Sequence, residues 1–250
     1  MFHFQRERER ERESNFAHNS VNQGNGLELL RSLPTNSTKL VFFDPQYEIA
    51  NKVSRIKNWP LIYQTSQQIN QFLKEIARVL KPSGFCLLWI NKTLPITGQF
   101  LTWLKHVSNL KMVDLLMWNK PHFGFGSYFR NQTEFALLLQ KYPLNSRLFK
   151  DKSFGNVWTE NSLSTNQRNH PHQKPKELIK ALIEATTEQG DLIIDPCAGS
   201  FVVLEACQET NRKFIGCDLT YSEMEEFFRK TKRPSFQASE TVCLNCFEFV

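Results

Sequence analysis

Short apolar runs alternate with amphipathic stretches along most of this chain, and that rhythm constrains its fold more than any other feature. Leu40–Phe43 reads LVFF, Phe85–Ile90 reads FCLLWI, and Met112–Trp118 and Glu134–Gln140 are similar. Continuous runs this short suit strands buried on both faces. Between them, Ile69, Phe72, Leu73, Ile76 and Leu80 lay one apolar stripe along a predicted helix, Ser66–Leu80, stopped by Pro82 and Gly84. Phe100–His106 reads as a further short helix. Lys176–Glu188 has Pro175 at its first turn and Gly190 just past its end, the usual punctuation of a helix. Leu192–Ile194, Val202–Gln208 and Lys213–Cys217 close the pattern as strand, helix, strand. Alternation of this kind predicts an α/β sheet covered by helices on both faces. With 250 residues and 40% hydrophobic content, the chain can bury such a core without a disulfide or metal staple.

The rhythm is absent at both ends. Residues 1–38 read as an extension with little order beyond a short helix at Leu27–Leu33. Residues 39–225 form the predicted domain, and 226–250 form a C-terminal extension. Residues 6–13 read RERERERE, so their charges cancel, and the net charge of +6 belongs to the rest of the chain. That excess suits an anionic partner or a solvated surface. No apolar run approaches the ~18 residues of a membrane-spanning helix, and the first residues lack the pattern of a signal peptide. These features predict a cytoplasmic protein with no membrane partner. Of the six cysteines, Cys86, Cys197, Cys207 and Cys217 lie among apolar residues and read as reduced thiols. Cys243 and Cys246 form a lone CxxC with no second pair at a matching spacing; His170 and His172 could complete a zinc site on paper, but inert thiols are favoured and no metal is predicted.

Ligands of open α/β sheets bind beyond the carboxyl ends of strands, and three such ends carry signals here. The first is Asp195-Pro196-Cys197-Ala198-Gly199-Ser200-Phe201, a small-residue turn between strand and helix. Gly199 permits close approach of a ligand, and Asp195 could bind an ammonium or hydroxyl group or cap the helix. The turn has neither GxGxxG nor a Walker lysine, which disfavours nucleotide phosphates. The second is Asp218, ending a strand 23 residues after Asp195. An acid at about that distance suits ribose hydroxyls, so the pair predicts an adenosyl ligand. The third is Asp44-Pro45-Gln46-Tyr47, after LVFF. It sets a carboxylate and backbone carbonyls beside an aromatic face, as an exocyclic amine on a planar ring would require.

These motifs carry a family resemblance. Asp44–Tyr47 resembles the (D/N/S)PP(Y/F/W) motif of amino-group methyltransferases, and Asp195–Phe201 is similar to their DPFAGSG turn for S-adenosylmethionine. His170-Pro171-His172-Gln173-Lys174-Pro175 resembles the HPxQKP segment of bacterial DNA methyltransferases. Trp118-Asn119-Lys120-Pro121 and Glu134-Phe135 are also similar. The catalytic motif precedes the cofactor motif, the permuted order of the β group of DNA amino-methyltransferases. The resemblance spans about Leu40 to Leu219. It implies a Rossmann-like class I methyltransferase fold with a mostly parallel seven-stranded sheet. It also implies S-adenosylmethionine as cofactor, held by Asp195 to Phe201 and Asp218 with Lys174 and Pro175 nearby. Two positions depart from the family: Gln46 replaces a second proline, and Phe201 replaces a glycine, which predicts a crowded turn. The usual target-recognition region is reduced to residues 141–169.

The resemblance further implies methyl transfer to a flipped-out base of double-stranded DNA. Adenine N6 is favoured because Asp opens the motif. Asp44 and the Pro45 carbonyl would accept the amine hydrogens while Tyr47 stacks on the base. Arg55, Lys57, Trp59, Tyr128, Arg130, Arg147, Lys150, Lys152 and Arg168 are basic and aromatic loop residues suited to phosphate contact or base wedging. The alternatives are a cytosine-N4 methyltransferase, an RNA adenosine methyltransferase and a nucleic-acid-binding homologue without catalysis. A homodimer is compatible with the sequence, although no exposed apolar stripe argues strongly for one.

Overall fold

In the computed structural model, which describes residues 16–47, 63–126, 128–163, 172–222 and 226, the first strand shows how the core is divided. Within β1 (Thr38–Phe43), Leu40 and Phe42 join one buried apolar cluster and Val41 and Phe43 another. Side chains of a strand alternate between faces, so β1 is wedged between two helical layers. The layer on Val41 and Phe43 contains α1 (Gly26–Ser32), α2 (Ser66–Val79) and α4 (Phe100–Leu104). The layer on Leu40 and Phe42 contains α5 (Lys176–Thr186) and α6 (Val202–Glu209).

The other strands are β2 (Leu80–Ile90), β3 (Leu110–Asn119), β4 (Thr133–Lys141), β5 (Val157–Thr159), β6 (Leu192–Asp195) and β7 (Lys213–Gly216). The sheet order is β5-β3-β4-β2-β1-β6-β7. Among the described residues, only the pairings made by β4 are antiparallel, so the sheet is mostly parallel. Among the described residues, no helix is long and apolar enough to cross a membrane.

Local chemistry explains most boundaries. Helix α2 starts at a capping box: the Thr65 side chain accepts the Gln68 N–H, and the Gln68 side chain accepts the Thr65 N–H. It ends at Val79 without a linker, because Leu80 already belongs to β2. Pro82 and Gly84, expected to stop the helix, instead lie within β2. There Thr38 pairs with Leu80 but Leu40 pairs with Phe85, so Lys81–Gly84 bulges out of the ladder.

The expectation of a loose extension over residues 1–38 needs correction from Phe16 onward. Phe16 and Val21 pack on the two clusters, and Leu29 and Leu30 of α1 are fully buried. The polar residues between them bind backbone: Asn22 Nδ2 donates to the Gly216 carbonyl at 2.9 Å, and Asn19 Oδ1 accepts the Phe214 N–H at 2.8 Å. Their side-chain amides serve the edge strand β7, which is why an Asn-rich segment is ordered here. Residues 1–15 lie outside the described residues, as does the C-terminal extension apart from Glu226.

Residues 141–169 were expected to form a short recognition segment. Up to Glu160 they are built onto the domain. Phe149 meets Phe85 at 6.3 Å between ring centroids, and Phe154 stacks on Trp158 at 5.4 Å. Strand β5 then pairs with β3 at the sheet edge. Sequence patterning missed β5, and also α3 (Thr93–Thr97), because neither carries enough apolar residues to show a period.

Candidate active site

Strands β1 and β6 are parallel neighbours with Val41 beside Ile194. Asp44 and Asp195 therefore leave the same end of the sheet, although 151 positions separate them in the chain. The permuted order of the motifs has no consequence for this meeting, since sheet order brings the two strand ends together.

Asp44 heads a chain of alternating charges. Lys174 Nζ lies 2.6 Å from its carboxylate and 3.3 Å from that of Glu134, at the start of β4. Glu134 also accepts a hydrogen bond from Lys120 Nζ, where the chain leaves β3. The lysines sit on aromatic faces: Lys174 Nζ is 4.8 Å from the Trp89 ring centroid and Lys120 Nζ is 4.4 Å from that of Trp118. Burial works against the charge of Lys174, but the Asp44 and Glu134 carboxylates outweigh it and hold its pKa above the usual value. Burial likewise opposes the charge of Glu134, and Lys174 and Lys120 overcome it, bringing its pKa down to about 2. The structure thus joins Lys174, expected on the cofactor side, to the Asp44–Tyr47 motif. Asp44 keeps a side-chain exposure of 37%, against 10% for Lys174, so the carboxylate is the accessible end of the chain.

Pro45 is buried, and the Gln46 carbonyl accepts the Gln64 N–H at 2.6 Å. This bond uses only the backbone carbonyl of residue 46 and ties the loop to Gln64. Tyr47 is held at both ends. Its ring packs on Trp103 with centroids 5.1 Å apart, and its hydroxyl oxygen accepts the Asn91 N–H at 2.5 Å. Burial, reinforced by Asp44, pushes its phenol pKa well above the ordinary value, so the hydroxyl stays neutral.

The turn after β6 is organised differently. Asp195 is 5% exposed and accepts the Cys197 N–H at 3.1 Å. Burial raises its pKa to about 8, with Asp44 and Asp218 adding to the effect. Asp218 accepts the Gly199 N–H at 3.0 Å and, on its other oxygen, the N–H and hydroxyl of Thr220 at 2.9 and 3.0 Å. The backbone N–H and C=O of Asp218 pair with Asn22 and Gly24 of the N-terminal segment. Next to that segment, a Cβ on Gly26 would stand 1.9 Å from the Pro196 carbonyl oxygen, so only glycine lets α1 approach the turn. Ala198 and Ser200 are buried, and the Sγ of half-buried Cys197 is 3.6 Å from Gln64 Nε2.

Phe201 does not crowd the turn. Its ring is fully buried, at 5.3 Å from Tyr221 and 6.3 Å from Phe214. Its backbone has φ +57°, the left-handed region that a glycine adopts freely. That conformation costs about 1–2 kcal/mol, while losing a buried phenyl ring costs about 3–5 kcal/mol. Phe201→Gly should therefore destabilise the protein by roughly 1–4 kcal/mol in denaturant unfolding.

Three contributors escaped the sequence reading. Glu134 and Lys120 were seen only as parts of family-like strings. Glu160, just after β5, accepts the Leu178 N–H of α5 at 3.0 Å and the Trp158 Nε1–H at 2.7 Å. Helix α5 has Pro175 at its N-cap and no cap from its own side chains, so Glu160 caps it from a distance and fixes the segment that carries Lys174. Among the loop residues singled out for nucleic-acid contact, Lys150 donates to the Thr187 carbonyl at 2.5 Å, and Lys152 donates to the Ser146 carbonyl at 2.5 Å. Arg55, Lys57, Trp59, Arg168, His170, Pro171, Cys243 and Cys246 lie outside the described residues.

A doubly covered, mostly parallel sheet with acidic turns at the ends of adjacent strands defines the class I methyltransferase architecture. The comparisons narrow the class to a family. A DNA methylase family model matches residues 38–229, and the chain belongs to that family. It is 38% identical to the Type II methyltransferase M.HhaII of Haemophilus parahaemolyticus over 83% of this chain and 93% of that one. It is 26% identical to the DNA adenine methyltransferase YhdJ of Escherichia coli (strain K12), over 88% and 85%. Among solved structures, the PvuII DNA methyltransferase (cytosine-N4-specific) superposes with a TM-score of 0.64 at 18% identity, covering 82% of this chain and 83% of that one. The M1.HpyAVI–SAM complex superposes with a TM-score of 0.60 at 18% identity, covering 85% and 97%.

Proposed function

We propose that this DNA methylase transfers a methyl group from S-adenosylmethionine to adenine N6 in double-stranded DNA. The observation that carries the reading is the placement of Asp44 and Asp195 at the same ends of adjacent parallel strands. One carboxylate is accessible and the other is buried with no ion pair among the described residues. A buried carboxyl whose pKa is raised to about 8 fits the ammonium of an amino-acid moiety. The Asp218 carboxylate, partly buried at the end of β7, suits ribose hydroxyls. Pro196 to Phe201 would shape the turn around the same ligand, with Lys174 and Pro175 bordering it. When bound, the cofactor supplies an electrophilic methyl group on a sulfonium.

The chain's own residues then act on the base. The exocyclic amine is a poor nucleophile, because its lone pair is delocalised into the ring. Asp44 and the Pro45 carbonyl accept its two hydrogens and favour a more tetrahedral nitrogen. Lys174 fixes the direction of the Asp44 carboxylate, so the acceptor is aimed before the base arrives. Tyr47, braced by Trp103 and Asn91, offers a ring edge and face to the base. Adenine is favoured over cytosine because Asp opens the motif and because YhdJ, an adenine methyltransferase by name, aligns over most of the chain.

The test is to incubate the protein with radiolabelled S-adenosylmethionine and mixed-sequence duplex DNA, then identify the labelled nucleoside. Label in N6-methyladenine supports the reading. Label in N4-methylcytosine overturns the base assignment and leaves the mechanism standing. Label in RNA but not DNA overturns the substrate.

A further inference from the structure

The loop joining β3 to β4, residues 120–132, carries an unusual surface. Tyr128 is 97% exposed, Phe129 86%, Phe125 73% and Phe123 66%. Rings this exposed cost free energy in water and mark a surface built to meet something. The exposure is structured. The Gly124 N–H donates to the Asn131 carbonyl at 2.6 Å, Asn131 Nδ2 to the Phe125 carbonyl at 2.6 Å, and Arg130 Nε to the Gly124 carbonyl at 2.7 Å. A Cβ on Gly126 would stand 2.0 Å from the Phe129 carbonyl oxygen, so the chain folds tightly on itself at that glycine. These bonds turn the backbone inward and leave Tyr128 and Phe129 outside.

The base of the loop is fastened to the catalytic centre. Lys120 is its first residue and Glu134 follows its last by two positions. Both belong to the ion-pair chain that ends at Asp44. Asn119 and Thr133 close the ladder beneath it, and the Lys120 N–H donates to the Gln132 carbonyl at 2.7 Å. The aromatic tip therefore rises from a rigid stem at the end of the sheet where Asp44 lies.

A base within a duplex must leave its stack before Asp44 can reach its amine, at a cost in unstacking and unpairing. Apolar wedges inserted between base steps offset such a cost by filling the vacated space. We infer that the β3–β4 loop is the element that opens the duplex, with Tyr128 and Phe129 entering the stack where the target nucleotide leaves it. The inference rests on the DNA reading above and assigns to this loop a task separate from holding the flipped base.

The test begins by methylating plasmid DNA with the wild-type protein and sequencing the modified sites, which defines the target. Two oligonucleotide duplexes follow, one with the target base paired and one with an abasic site opposite it. The abasic duplex lacks the pairing that the wedge must break. Tyr128→Ala/Phe129→Ala alters only exposed rings, and its melting temperature is compared with wild type. Single-turnover methylation of the paired duplex should fall about tenfold or more, matching the loss of a contribution of at least one base step. On the abasic duplex it should return to within about threefold of wild type. Tyr128→Trp, which keeps a flat ring, should stay close to wild type on both. An equal loss on both duplexes overturns the inference by placing the rings in target binding or in the fold. Unchanged rates on both also overturn it. A wild-type protein that methylates no DNA overturns the function reading instead, so the two failures are distinguishable.

Discussion

The two acidic strand ends of this protein sit side by side and are built in opposite ways. After β1, Asp44 shares Lys174 with Glu134 of β4, and Glu134 also holds Lys120. After β6, Asp195 is more deeply buried and receives a backbone N–H but, among the described residues, no ion-pair partner. The first arrangement is complete in the protein alone. Its charges cancel locally, which keeps an accessible Asp44 in a fixed position. The second arrangement is left short of positive charge, and burial shows the imbalance as a carboxyl pKa near 8. Under the proposed function, the difference separates a preassembled acceptor from a receptor whose missing charge would come with the ligand.

The most severe break of this comparison is Asp44→Ala. It should lower single-turnover methylation by about a thousandfold or more, since it removes an acceptor at the reacting nitrogen. Cofactor binding by calorimetry should be unaffected, because Asp195 and its turn remain. Lys174→Met comes next, with kcat reduced about 10–100-fold. A cofactor Kd unchanged by this variant would place Lys174 with the acceptor, whereas a weakened Kd with normal kcat would return it to the cofactor side.

Asp195→Asn tests the other strand end and should weaken S-adenosylmethionine binding by about tenfold. Its pH dependence sharpens the test. The folded carboxyl has a pKa of about 8, above an unfolded value of about 4. The folded state thus holds more protons between these values, and ligand-free stability declines as pH rises through the window. Thermal melts should show Asn gaining on Asp as pH increases toward 8. Cofactor affinity should run the other way, rising with pH in wild type and staying flat in the variant. The smallest effect is expected from Tyr47→Phe. It keeps the ring but orphans the Asn91 N–H, so a loss of about threefold to tenfold in kcat/KM is expected. Loss as large as for Tyr47→Ala would assign the role to the hydroxyl and not the ring.

What could be read from the sequence followed the range of the interactions. Strands β1, β2 and β4, the helices α2 and α5, and both strand-end motifs rest on residues within a dozen positions of one another. Their periods and turns were legible. The bond between Lys174 and Asp44 spans 130 positions, and no local pattern states that a lysine before a helix will turn toward one strand end and not the next. Phe201 misled for a related reason. A bulky residue in a small-residue turn reads as crowding, but its left-handed backbone sends the ring into the core. The Asn-rich stretch near residue 20 read as unstructured because amides suit loops, while here they bond to the β7 backbone. The three-residue β5 has an exposed Val157 and no alternation to reveal it.

Glu160 carries a consequence for how a protein of this kind can diversify. The segment between β4 and α5 contains the carboxylate that caps α5 and so steadies the stretch carrying Lys174. Grafting that segment from a relative would transplant or delete a support of Lys174 along with any new loop. Chimeras that keep Trp158 and Glu160 should remain active with altered loops. Those that cut across them should lose turnover before they lose the fold. The module boundary for exchange therefore lies upstream of Trp158, inside the connection and not at its end.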